Sequence, residues 1–177
     1  MPDAVRTELR RVPAKRLFAL VDAAHGPTTY QTLLRSPADQ RASLYQEPHG
    51  AQELAYAAPH LVEVDTPVLD ALAALWGAHC VVYVVSALPF AQLRKHFRKF
   101  LIVRAYGKSL YFRFYDPRIL PTFLLNATPP ELEAFCEAVD EFVVERDGGR
   151  AALLFDCKQT VPRHRELRDP DVQSGSG

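Results

Sequence analysis

The sequence predicts an α/β fold: a mixed sheet with flanking helices in a single lobe, with antiparallel hairpins in its C-terminal half. Three observations carry this. Apolar, β-branched runs alternate with segments of helical period through the first hundred residues, as sheet and helix layers do when they cover one another. Two glycine-bearing turns, Gly107-Lys108 and Asp147-Gly148-Gly149, sit between apolar stretches in the second half, which is how hairpins read. A length of 177 residues suits one domain, since domains most often run to about 100–150 residues.

Leu17 to Val21 is an apolar run closed by Asp22 and Gly26-Pro27, a buried strand entering a loop. A helix follows from about Thr29 to Arg35, and the mixed stretch from Ser36 to Pro59 reads as mainly irregular. His60 to Val64 is the next strand. Pro67 suits a first helical turn, and Val68, Leu72, Leu75 and His79 share a stripe widened by Leu69 and Trp76. Cys80 to Val85 is apolar throughout, the pattern of a strand covered on both faces, and is the expected sheet centre.

From Pro89 to Lys99, Phe90, Leu93 and Phe97 recur at helical spacing, with Arg94, Lys95, Arg98 and Lys99 on the other side. Leu101–Tyr106 and Ser109–Tyr115 form the hairpin around Gly107. In its second strand Leu110, Phe112 and Phe114 should face one way and Tyr111, Arg113 and Tyr115 the other. Asp116-Pro117 opens a short helix to about Leu125 that Pro121 can interrupt. Thr128-Pro129-Pro130-Glu131 is a capping box, introducing a helix that buries Leu132, Phe135, Cys136 and Val139. Glu141–Arg146 and Arg150–Asp156 make the last hairpin. Residues 1–15 read as an N-terminal extension, 16–157 as the α/β domain, and 158–177 as a flexible tail ending in the linker-like Ser174-Gly175-Ser176-Gly177.

Composition narrows the function. Lys plus Arg and Asp plus Glu both number 21, so no global field draws the chain to nucleic acid or an anionic membrane. Cys80, Cys136 and Cys157 are odd in number and widely spaced, which suggests a reducing compartment and neither disulfide framework nor metal site. The start has no apolar signal core, and no apolar run reaches the roughly 20 residues of a membrane span. A cytoplasmic location without membrane insertion is expected. No zinc spacing among the six histidines and no phosphate-binding glycine loop occurs, so no metal or other cofactor is expected.

Asp22 and His25 follow a strand end, where open sheets place ligands. With His96 they define a hydrolase or phosphodiesterase alternative, against the simpler reading of a turn-capping aspartate. Ser86 lacks the flanking glycines of a nucleophile elbow and reads as a cap or turn residue. The basic helix 90–99, with Tyr106, Tyr111 and Tyr115, defines a second alternative, an RNA platform, although the neutral net charge argues against nucleic acid. Arg113, Asp116 and Arg118 bracket a strand-to-helix corner in which one carboxylate can hold two guanidinium groups and cap the helix, with His96 a candidate to join them.

The segment Phe112-Arg113-Phe114-Tyr115-Asp116-Pro117-Arg118, preceded by Leu93-Arg94-Lys95-His96-Phe97-Arg98-Lys99-Phe100, resembles the signature of the domain-of-unknown-function family DUF4123. Leu17 to Ala24 resembles that family's opening strand and Ala58 to Val62 its Ala-Pro-Tyr-Leu-type strand, in the same order. The resemblance implies a bacterial, non-enzymatic adaptor or chaperone of type VI secretion that binds a cognate effector toxin in the cytoplasm and loads it onto a VgrG or PAAR spike protein. Members often add a C-terminal helical lobe, and the 177 residues end soon after the α/β lobe. Asp22, His96, Arg113, Asp116 and Arg118 are then family-motif residues of structural role. The effector or spike contacts fall to Arg94, Lys95, Arg98, Tyr111 and Tyr115, because exposed aromatics and arginines dominate interface energetics.

Overall fold

A computed structural model describes residues 1–13, 16–45, 56–105, 107–159 and 162–170. The elements are α1 (Asp3–Arg10), β1 (Leu17–Asp22), α2 (Pro27–Leu33), β2 (Arg41–Ser43), β3 (Pro59–Glu63), α3 (Thr66–Ala73), β4 (Val81–Val85), α4 (Phe90–Arg98), β5 (Ile102–Ala105), β6 (Lys108–Tyr111), α5 (Leu120–Asn126), α6 (Pro129–Cys136), β7 (Glu141–Arg146), β8 (Ala151–Asp156) and β9 (Arg163–Arg168). Seven strands form one sheet in the order β2-β3-β1-β4-β7-β8-β9, and β5-β6 is a separate hairpin. The α/β class holds. The antiparallel pairing expected of the C-terminal half extends to every described pair, β1 with β3 and β4 included.

β4 occupies the middle of the order, as its unbroken apolar run predicts. Alternation along the strands sends Phe18, Leu20, Val82, Val84, Phe142 and Phe155 to one face. There they meet Leu93 and Phe97 of α4, Leu120 and Leu124 of α5, and Leu132 and Phe135 of α6. Ala19, Val21, Val81, Tyr83, Val143 and Leu154 go to the other face, under Val5 and Leu9 of α1, Leu33 of α2 and the apolar stripe of α3. Helices therefore cover both faces of the sheet.

Several boundaries differ from the sequence expectations. α3 starts on its Asp65 cap, whose carboxylate accepts from Val68 N at 2.9 Å, but ends at Ala73. Gly77 (φ 92°) and His79 (φ 60°) then turn the chain, because the buried Glu145 carboxylate takes the backbone N–H groups of both. His79 thus leaves the helical stripe. The turn also packs tightly on the last hairpin, where a Cβ on Gly149 would stand 2.8 Å from Gly77 Cα. The segment expected to be irregular contains the edge strand β2, while its residues 46–55 lie outside the described residues.

The two terminal segments are corrections. The first 15 residues include α1, whose Val5 and Leu9 are fully buried. The segment from 158 onward includes β9, paired along its length with β8. The Asp169 carboxylate after β9 accepts from Asp3 N and Ala4 N at 3.0 and 2.7 Å, supplying the cap that Pro2 cannot, and Arg165 pairs with Glu8 at 2.5 Å. Ser174 to Gly177 lie outside the described residues. No helix among the described residues is long and apolar enough to cross a membrane.

Candidate functional site

The corner after the hairpin is built from its backbone outward. Phe112 N bonds to Leu101 O, the last link to β5, and Asp116 N then closes a turn on Arg113 O. β6 stops at Tyr111, so strand alternation ends there and Phe114 and Tyr115 both turn inward. Tyr115, expected on the outward face, is only 5% exposed. Leu110, expected inward, is exposed. α5 starts at Leu120, later than Asp116, and Pro121 stands in its first turn, where its missing N–H costs nothing, so it initiates the helix instead of breaking it.

Asp116 is 1% exposed and its oxygens are fully engaged. Oδ1 accepts from Arg118 N and Nε at 2.9 Å each, and Oδ2 accepts from an Arg118 terminal nitrogen at 2.7 Å. Arg113 lies 3.3 Å from the same Oδ2 and donates at 2.9 Å to Asp22, which closes β1. Asp22 also accepts from Ala24 N at 3.2 Å. One carboxylate does hold two guanidinium groups, but it caps the turn through Arg118 N and not the helix. Burial pushes the Asp116 carboxyl up, yet the hydrogen bonds from Arg118 and the charges of Arg118 and Arg113 outweigh it and hold it below its ordinary 3.8. Two buried aspartates, bridged by the half-exposed Arg113, can brace the corner to the end of β1.

His96 does not join this network. It sits on the inner side of α4, 3% exposed, with Nε2 donating to Phe135 O at 2.8 Å and Nδ1 3.4 Å from Glu137. His25 is exposed in the short turn after Asp22. Asp22, His25 and His96 share no hydrogen-bond partner among the described residues. Ser86 is buried, donating to Ala138 O at 2.6 Å and accepting from Leu88 N, as a turn residue does. Among the described residues no three His, Cys, Asp or Glu side chains are grouped as a metal set.

Burial holds the His96 imidazolium below its ordinary 6.5, against the opposing pull of the Phe135 carbonyl and Glu137, with Lys99 adding to the depression. Burial does the same to His60. Because the folded values lie below the unfolded one, the unfolded chain takes up protons first. Stability conferred by the neutral rings is present above pH 6.5 and is lost as pH falls from there through the lowered values. Urea unfolding at stepped pH should show this loss, and His96→Gln should flatten it; an unchanged slope would separate His96 from the effect.

The sequence-selected contact residues divide. Arg94 is half-buried and donates to Ser43 O of β2 at 2.9 Å. Lys95 is exposed and Arg98 half-buried along α4. Tyr111 is 67% exposed, and Tyr106 lies outside the described residues. Beside Tyr111, the structure exposes Ile102, its direct cross-strand partner, at 55% and Leu110 at 46%. Sequence reasoning missed Ile102 and Leu110, because an apolar strand residue reads as core unless the hairpin is known to project. The Tyr45 ring, 6.1 Å from that of Tyr111, ties the hairpin base to the segment after β2.

No curated protein and no solved structure gives a significant match to the chain. The family model described as a domain of unknown function, DUF4123, matches residues 17–134, which run from β1 through the arginine–aspartate corner into α6. That span is about two thirds of the chain and contains the whole Asp22–Arg113–Asp116–Arg118 network, so this protein belongs to the DUF4123 family.

Proposed function

We propose that the chain is a non-enzymatic adaptor or chaperone that binds a cognate type VI secretion effector in the bacterial cytoplasm and promotes its loading onto a VgrG or PAAR spike. The observation that carries this reading is the projecting hairpin with Ile102, Leu110 and Tyr111 in solvent. A two-stranded ribbon alone is marginally stable, and large apolar side chains grouped at its surface gain free energy only when a partner covers them. The corner network anchors the hairpin exit to β1, so the apolar surface is presented on a fixed base, which lowers the ordering cost of association. The functional expectation attached to the family resemblance agrees with this. The role requires no turnover, cofactor or nucleic acid.

The test is co-expression with the toxin encoded beside this chain, followed by size-exclusion chromatography with light scattering. A complex of defined mass is expected. The double variant Ile102→Ser with Tyr111→Ala should keep its fold by circular dichroism and weaken the complex by about 30-fold or more, since one aromatic and one aliphatic anchor at an interface centre together contribute about 2 kcal/mol or more. Absence of a complex with toxin or spike would overturn the reading.

A further inference from the structure

We propose that a second surface, the cationic groove between α4 and the sheet-edge strand β2, binds an acidic segment of a protein partner. Identifying that partner as part of the secretion assembly rests on the adaptor reading, but the chemistry of the groove does not. The groove has a volume of about 420 Å³ and opens to solvent. Its apolar lining is Ala42 of β2 with Phe90 and Ala91 of α4.

The cations come from one stripe of the helix. Residues 91, 94, 95, 98 and 99 stand at i, i+3, i+4, i+7 and i+8, one helical stripe, and Arg94, Lys95, Arg98 and Lys99 all line the groove beside Ala91. Successive turns place them about 5.4 Å apart along the axis. That interval is close to the spacing of alternate side chains on an extended strand or of neighbouring turns on a helix, so acidic residues at either periodicity can face them.

Two of these charges are committed within the chain. Arg94 holds the Ser43 carbonyl, and Lys99 meets Glu137 at 3.3 Å. Lys95 and Arg98 form no ion pair among the described residues, and Arg98 is half-buried while lining the groove. Uncompensated like charges one turn apart repel one another and disfavour the isolated helix, a cost that an opposing carboxylate row removes. The lysine, alanine and phenylalanine lining leaves room for short acidic side chains and a small apolar contact.

A nucleic acid fits less well. Single strands need exposed aromatic faces for base stacking, whereas Phe90 is only half-exposed and packs against the core. The chain's net charge of zero supplies no long-range attraction for a polyanion. Short-range charge complementarity along one helix, above a small apolar strip, suits an acidic peptide.

The test uses the full chain and a fluorescein-labelled peptide of alternating glutamate and alanine, read by fluorescence anisotropy at low salt. Saturable binding is expected, weakening as salt rises, and Lys95→Glu with Arg98→Glu should weaken it by about tenfold or more. If that variant loses its helical signal, Lys95→Gln with Arg98→Gln takes its place, with a smaller loss expected. No saturable binding, an affinity unchanged by either pair, or tighter binding of a single-stranded RNA than of the peptide would overturn the proposal. A toxin complex without peptide binding removes the groove alone; peptide binding without a toxin or spike complex removes the adaptor reading and leaves the groove.

Discussion

Phe135→Ala should lower the unfolding free energy by about 3–5 kcal/mol and the melting temperature by roughly 8–15 °C, the largest effect of any single truncation considered. Phe135 is fully buried at the inner face of α6, and six phenylalanine rings surround it. Phe97 of α4 and Phe100 just after it lie at 6.3 and 5.1 Å, Phe112 and Phe114 of the corner at 5.9 and 5.6 Å, Phe123 of α5 at 5.1 Å and Phe142 of β7 at 5.6 Å. Removing the ring forfeits its transfer free energy and leaves a cavity whose rigid aromatic walls, drawn from three elements and the corner, cannot collapse inward together. The hairpin exit loses part of its seat on the sheet, so amide hydrogen exchange should rise at Phe112 and Phe114 before it rises in β4. A melting temperature within about 2 °C of the parent would mean that the aromatic cluster is not the joint between hairpin and sheet.

Asp116→Asn should cost about 2–3 kcal/mol at neutral pH. The substitution keeps the shape but removes the charge that Arg118 and Arg113 both address. The cost falls at the lower end for a buried ion pair because Arg113 and Arg118 are 44% and 59% exposed and regain water when released. The pH dependence follows from the lowered carboxyl. Its folded value is below the unfolded one, so its contribution is complete above about pH 4 and disappears as pH falls through the depressed value. Parent and variant should therefore differ in urea midpoint at pH 7 and converge in strong acid. A constant difference across that range would assign the effect to shape and not to charge. The arginines are expected to behave differently from each other. Arg118→Lys loses the two-nitrogen fork on Asp116, which one ammonium cannot reproduce, whereas Arg113 meets Asp22 and Asp116 through a single terminal nitrogen, so Arg113→Lys should cost less.

Local chemistry determined much of this protein on its own. The unbroken apolar run of Val81–Val85 identified the sheet centre, because only a strand covered on both faces can bury every side chain. The Thr128–Glu131 capping box placed the start of α6, since two reciprocal hydrogen bonds within one turn require nothing from the rest of the chain. Gly107 marked the hairpin turn by its positive φ of 72°. The arginine and aspartate residues of the corner were also legible, their spacing being short enough for one turn to bring them together.

What depended on distant partners was decided by the tertiary structure. β9 has no apolar alternation and forms at the sheet edge through backbone pairing with β8, which sequence period cannot report. α1 is held by Asp169 from the far end of the chain. Asp22 could be read as a local cap, but its pairing with Arg113, 91 positions away, exists only because β1 ends beside the corner. The exposure of Ile102 and Leu110 and the burial of Tyr115 follow from where β6 stops and where α4, α5 and α6 leave the hairpin uncovered. Side-chain period states which residues share a face; only the packing of other elements decides whether that face meets protein or water.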